Sequence, residues 1–190
     1  TRDTLSRARI LEEIRAQEAG TPLYVARLLH QMLPLQKLPE VHPDKPGYYE
    51  LSVEGTDGAP NPYWVQVPPE YDPLRKYPAI VTLNGAGTTP EQQIDWWAGA
   101  WQEGGWRAGQ ASRHGYIVIA PQGATDHQKT YEFSARESDA VCRALRDAFR
   151  HFSIDTDRVF LTGHSMGGNA AWDIGLAHPD LWAGVIPFVA

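Results

Sequence analysis

The stretch "RVFLTGHSMGGNAAW", residues 158–172, joins an apolar run to a glycine-flanked serine and then to a segment rich in small residues. Val159, Phe160 and Leu161 form a continuous apolar run, the pattern of a strand buried on both faces. The segment after Gly168 has the composition of a helix. Between the two, Gly163-His164-Ser165-Met166-Gly167 predicts an abrupt strand-to-helix turn. The residue at the centre of such a turn holds strained backbone angles, and a side chain at Gly163 or Gly167 would clash there. The following helix directs its N-terminal amides and positive dipole end at the space beside Ser165. Ser165 is therefore a candidate nucleophile, and the base and acid that would activate it have to be found.

The flanking pattern extends the same architecture. "YPAIVTLNG" (77–85) and "YIVIAPQG" (116–123) are further apolar runs, and "WAGVIPFVA" (182–190) reads as the strand after the helix. Before them, "YYELSVEG" and "YWVQVPP" alternate like half-exposed antiparallel strands. "ESDAVCRALRDAFRHF" (137–152) predicts an amphipathic helix with Val141, Leu145, Ala148, Phe149 and Phe152 toward the sheet and Ser138 or Asp139 as cap. A helical segment after the third strand carries Ile94, with Trp97 and Trp101 on a shared face. Two antiparallel strands followed by alternating β and α imply an α/β fold with a mixed, mostly parallel sheet and helices on both faces. Residues 1–47 differ in texture, with helices expected over 3–19 and 22–33. Then comes "PLQKLPEVHPDKPG", whose Pro34, Pro39, Pro43 and Pro46 suit a linker or a wrapping arm. The organisation expected is a helical appendage and Pro-rich linker over 1–47 and an α/β body over 48–190.

Composition narrows the function classes. The chain has 190 residues, 42% hydrophobic and 21% charged, which suits a globular domain rather than a disordered segment. A net charge of −6 argues against a nucleic-acid or anionic-membrane surface. No apolar run approaches the length of a membrane span. The single cysteine, Cys142, excludes an internal disulfide framework and a cysteine metal cluster, and reads as a packed thiol. It fits a reducing compartment and an export route alike. Thr1 in place of methionine, and an end within the apolar "AGVIPFVA", give the expectation of a piece of a larger protein.

The run "YDPLRKYPAIVTLNGAG … GYIVIAPQG … DAVCRALRDAFRHFSIDTDRVFLTGHSMGG" resembles the α/β-hydrolase superfamily. It is similar to esterases related to polyhydroxybutyrate depolymerases and feruloyl esterases, and to prolyl-oligopeptidase-type catalytic domains. The resemblance covers about residues 48–190 and implies the N-terminal portion of that fold. It further implies a serine hydrolase that works through an acyl-enzyme on Ser165. The oxyanion hole would use the amide of Met166 and a second amide from "LNGAG", supplied by Ala86 with Gly87 as the alternative. Asn84 stands where many relatives carry the histidine of an HGGG-type motif; backbone donors tolerate that departure.

In this superfamily the acid and histidine follow the serine in chain order. Downstream of Ser165 only Asp173, His178 and Asp180 are available. His178 lies roughly 20 Å along the helix that leads away from Ser165, beyond hydrogen-bond reach. The triad acid and histidine are therefore expected outside this chain, and the 190 residues alone are expected to turn over little. His164 suits packing. Candidate substrate-side residues are Trp97, His127 and Phe133, the last beside Glu132. No pair of histidines has metal-ligand spacing, and no cofactor is implied. The expected substrate is a small-molecule or polymeric carboxylic ester. A peptide, or a non-catalytic domain used for binding or scaffolding, is the alternative. The remainder of the parent chain is the expected partner.

Overall fold

The computed structural model describes residues 4–17, 20–42, 44–125 and 127–189. Contacts divide the chain into two units, residues 1–33 and 34–190. The first contains α1 (Thr4–Arg15) and α2 (Pro22–Gln31), with Pro22 in the first turn of α2. Helix α1 ends earlier than the expected residue 19, and residues 18 and 19 lie outside the described ones. Among the described residues no helix is long and apolar enough to cross a membrane.

The second unit is built on a six-stranded sheet: β1 (Tyr48–Glu54), β2 (Pro60–Gln66), β3 (Tyr77–Leu83), β4 (Ile117–Pro121), β5 (Ile154–His164) and β6 (Gly184–Phe188). The order is β1-β2-β4-β3-β5-β6. The first two pairings from the β1 edge are antiparallel and the remaining three parallel, the mixed sheet expected from the sequence. The helices of this unit are α3 (Pro90–Ala98), α4 (Gln110–Arg113), α5 (Ala135–His151) and α6 (Met166–Ala177).

Strand alternation sorts the core into two layers. Ala79, Val81, Ile117, Ile119 and Leu161 pack with α5 and α6 through Val141, Leu145, Ala148, Ala171 and Ile174. Ile80, Val118 and Ala120 point the other way and pack with Ile94 and Ala98 of α3 and with Ala111. The sheet is therefore covered by α5 and α6 on one face and by α3 and α4 on the other. Segment 34–47 follows this unit: Gln36 N–H donates to the Arg150 carbonyl at 2.9 Å, and Gln66 Nε2 donates to that of Pro46 at 3.2 Å.

Three local readings change. Trp101 does not share a helix face with Trp97, because α3 stops at Ala98. The chain reverses at Gly99 (φ 90°), whose backbone lies against that of Gly109, and Trp101 bridges to Arg107 instead. The Arg107 guanidinium is buried over the Trp101 ring, 4.1 Å from its centroid, and pairs with Asp95. Strand β5 begins at Ile154, ahead of the apolar run, since Asp155 folds its carboxylate onto Arg158 Nε (2.6 Å) and the Asp157 amide (3.1 Å). Strand β2 starts at Pro60, so Pro60 and Pro62 belong to it. They pair only with β1, ahead of the stretch that also pairs with β4.

Helix α5 is capped by Ser134 rather than Ser138 or Asp139. Ser134 Oγ accepts from the Glu137 amide (3.3 Å), and the Glu137 carboxylate accepts from the Ser134 amide (3.0 Å). This reciprocal box satisfies two orphan donors, which a cap at Ser138 would not do. Glu137 is 1% exposed and also accepts from Gln128 Nε2 and the Glu132 amide. Burial alone would raise its carboxyl pKa, but these hydrogen bonds outweigh it and hold the group below the usual carboxylate range. With the folded pKa below the unfolded one, this stabilisation is complete above the ordinary glutamate value, about 4.3. It is lost as pH falls through the folded value. Melting temperatures measured from pH 7 down to 2.5 are expected to fall more steeply in the wild type than in Glu137→Gln, which is less stable at neutral pH.

Candidate active site

Parallel pairing sets β3 and β5 at the same height, with Leu83 opposite Gly163. The chain leaves both strands at this level, so loop 84–88 and the turn at Ser165 lie side by side. Ser165 joins β5 to α6 at φ 55° and ψ −118°, a left-handed backbone rare for a residue with a side chain. The flanking glycines are required by space. A Cβ on Gly163 would sit 2.0 Å from the Gly167 carbonyl oxygen, and one on Gly167 would sit 2.2 Å from that of Leu83.

The Ser165 amide donates to the Phe188 carbonyl at the end of β6, at 2.8 Å. Its carbonyl accepts from the amides of Gly168 (2.8 Å) and Asn169 (3.1 Å), which closes the first turn of α6. The serine's own amide is thus committed to the sheet. The next one, at Met166, is the first of the helix and has no carbonyl four residues back to serve within it.

Loop 84–88 is held by its own residues. Asn84 is 9% exposed and donates from Nδ2 to the Thr88 carbonyl at 2.7 Å; the Thr88 amide and hydroxyl both donate to the Gly85 carbonyl. A Cβ on Gly85 would lie 3.4 Å from Ser165 Cβ, which sets the loop directly against the serine. Ala86 and Gly87 form the exposed tip. Asn84 therefore acts as the loop's internal staple.

The predicted substrate-side residues separate. Trp97 is half-buried, packs against Phe188 with ring centroids 6.3 Å apart, and lines an apolar groove with Ile80, Phe160 and Ile186. His127 is exposed in the loop after β4, at φ 63°. Phe133, also exposed, packs its ring against Tyr131 with centroids 4.7 Å apart. Tyr131 and Glu137 line a small cavity together with Asn84, Met166 and Gly167, so the segment before α5 backs onto the serine turn. Tyr131 Oη donates to Asp173 on α6 at 2.7 Å. Burial, then this hydrogen bond, raises the Tyr131 pKa far above the usual phenol range and keeps it a donor.

Three of the histidines contact other groups. The His164 ring lies against Trp96, with centroids 5.3 Å apart and planes tilted by 55°, and His178 meets Ser138 Oγ at 3.2 Å. The His151 ring lies 3.3 Å from the Lys37 carbonyl oxygen. Sequence reasoning missed Glu137 and the Tyr131–Asp173 bond. The first had a readable signal in the S-x-x-E spacing of Ser134 and Glu137; the second joins residues 42 positions apart and left none.

The chain is 26% identical over 142 residues to dipeptidyl-peptidase 5 of Porphyromonas gingivalis, a match covering 70% of this chain and 20% of that protein. Among solved structures, a thermostable esterase superposes with a TM-score of 0.56 at 28% identity, over 74% of this chain and 40% of that one. The S-formylglutathione hydrolase of Staphylococcus aureus superposes at 0.52 and 18% identity, over 74% and 56%, a likeness of fold. The chain thus spans a minor part of the first two relatives. The model of the Esterase family matches residues 59–189, nearly all of the sheet and the whole of the serine turn. With its mixed sheet, its strand-to-helix turn at Ser165 and that match, the chain belongs to the Esterase family and has the α/β-hydrolase fold.

Proposed function

We propose that this chain carries the nucleophile and oxyanion hole of a serine hydrolase that cleaves a carboxylic ester. One observation carries the reading: Ser165 stands at φ 55° ahead of α6, between two glycines with no space for a Cβ. Strain of this kind persists where it aims a side chain at a reacting group. Ser165 Oγ attacks the carbonyl carbon and gives its proton to a histidine, while the carbonyl electron pair moves to oxygen. The amides of Met166 and Ala86 hold that oxyanion, with Gly87 as the alternative to Ala86. Each such donor contributes about 3 kcal/mol to lowering the barrier. Collapse breaks the C–O bond, the alcohol leaves with the histidine's proton, and an acyl ester on Ser165 remains. Water, deprotonated by the same histidine, hydrolyses that ester and restores Ser165.

The histidine and its acid come from chain outside these 190 residues in this reading, since His164, His178 and His151 have other contacts and none of these is with Ser165. The fragment alone then turns over little. Ester cleavage leads because the Esterase family match covers 59–189 and a thermostable esterase is 28% identical. The similarity to dipeptidyl-peptidase 5 favours a second reading, in which an amine replaces the alcohol as leaving group on the same acyl-enzyme.

Two measurements test the proposal. Full-length protein treated with a fluorophosphonate probe is expected to be labelled at Ser165. Ser165→Ala should abolish labelling and lower kcat on the order of 10⁵–10⁶-fold. Folded, unlabelled wild type would favour a binding or scaffold role instead. Gly167→Ala should cost about 3 kcal/mol in urea unfolding and abolish labelling, because its Cβ meets the Leu83 carbonyl. Wild-type stability in that variant would remove the packing argument for the turn.

A further inference from the structure

His164 stands where the loop after β3 comes down on the serine turn. A Cβ on Gly85 would lie 3.1 Å from His164 Nδ1, 3.0 Å from the His164 carbonyl oxygen and 3.4 Å from Ser165 Cβ. The loop therefore rests on the imidazole as well as on the serine. The same ring meets Trp96 of α3, with centroids 5.3 Å apart. Gly85 and Trp96 belong to one stretch of chain, because loop 84–88 runs through the Thr89 cap directly into α3. One side chain thus meets, at two points, the stretch that carries Ala86 and Gly87.

The tip of that loop depends on its base. A Cβ on Gly87 would meet nothing within 4 Å, whereas one on Gly85 would be crowded. Asn84 and Thr88 close the loop on itself, which fixes its shape rather than its distance from Ser165. Gly167 meets the start of the loop at Leu83 and Asn84, and the next residue along, Gly85, meets His164. His164 is also an unfavourable choice for packing alone. Its Nδ1 is buried and, among the described residues, has no hydrogen-bond partner. An unpaired buried polar atom lowers stability, and an apolar ring of similar shape would avoid that loss. A local rule broken beside a candidate nucleophile points to function.

We propose that His164 is a positioning residue: its ring, in contact with Gly85 and Trp96, holds loop 84–88 at the distance from Ser165 at which the Ala86 or Gly87 amide meets the oxyanion. The inference rests on the hydrolase reading of Ser165. His164 itself touches neither substrate nor the reacting atoms. Its effect falls on the transition state, because the loop amides bind a charge that the ester does not yet carry.

The test uses full-length protein and p-nitrophenyl acetate. His164→Ala is expected to lower kcat on the order of 10–100-fold with KM within about twofold, since a displaced oxyanion donor costs rate rather than binding. Affinity for an aryl trifluoromethyl ketone, whose adduct places an oxyanion beside the serine, should fall by the same factor as kcat/KM. His164→Phe keeps a ring against Gly85 and Trp96 without the unpaired nitrogen. It should restore most of the rate while melting at the wild-type temperature or higher. Wild-type kcat and ketone affinity in His164→Ala, with a lower melting temperature, would make the residue a packing element and overturn the inference. A loss of rate in His164→Phe as deep as in His164→Ala would overturn it too. Trp96→Ala, at a 60% exposed position, should lower kcat in the same way to a smaller degree. Should His164→Ala fail to fold, wild-type kcat in Trp96→Ala overturns the inference in its place. Wild type that fluorophosphonate does not label at Ser165 would sink the hydrolase reading first, whereas labelled wild type with unaffected variants leaves that reading standing.

Discussion

The close approach of three backbones beside Ser165 governs the arrangement around it. Gly167 rests on the Leu83 carbonyl, and Gly163 rests on Gly167. No side chain larger than hydrogen fits at either glycine, so β3, β5 and α6 converge more tightly than ordinary helix-on-sheet packing permits. The consequence is positional. The end of β3 supplies loop 84–88 at the height where β5 gives way to the serine. A single packing constraint sets the serine turn directly beside loop 84–88.

Around that turn the polar groups are assigned with little overlap. The Ser165 amide goes to β6, and Asn84 closes its own loop through Thr88. Glu137 collects the amides of the segment before α5, and Tyr131 reaches across to Asp173 on α6. All but the Tyr131–Asp173 bond, which joins two side chains, hold backbone groups. Loop 84–88 and segment 131–134 are thereby each tied by hydrogen bonds close to the turn.

Sequence legibility followed the range of the interactions. The buried strands were readable because β3 and β4 are apolar on both faces, and the serine turn because its glycines answer a local steric demand. Those two features gave the mixed α/β sheet and the place of the turn, and the resemblance of the run to the α/β-hydrolase superfamily supplied the rest. Features that depend on distant partners were less readable. Trp101 left its expected helix because Gly99 and Gly109 touch, a contact between residues far from one another in a helical pattern. Strand β5 begins at Ile154, ahead of "DTD", where Asp155 folds onto Arg158, a local compensation that periodicity does not register. Phe133 could be singled out by its place beyond β4. The amides on either side of it go to Glu137, four residues later, whose capping role was readable only in the S-x-x-E spacing with Ser134.

The bond from the Ser165 amide to the Phe188 carbonyl couples the centre of the site to a margin. Strand β6 stands at one end of the described sheet and is only half-buried along its length. Edge strands open locally at lower free energy than the strands they flank. The amide at the heart of the elbow is therefore expected to exchange its hydrogen in step with β6 rather than with the buried core beside it. The geometry of Ser165 therefore depends on the pairing of β6 with β5.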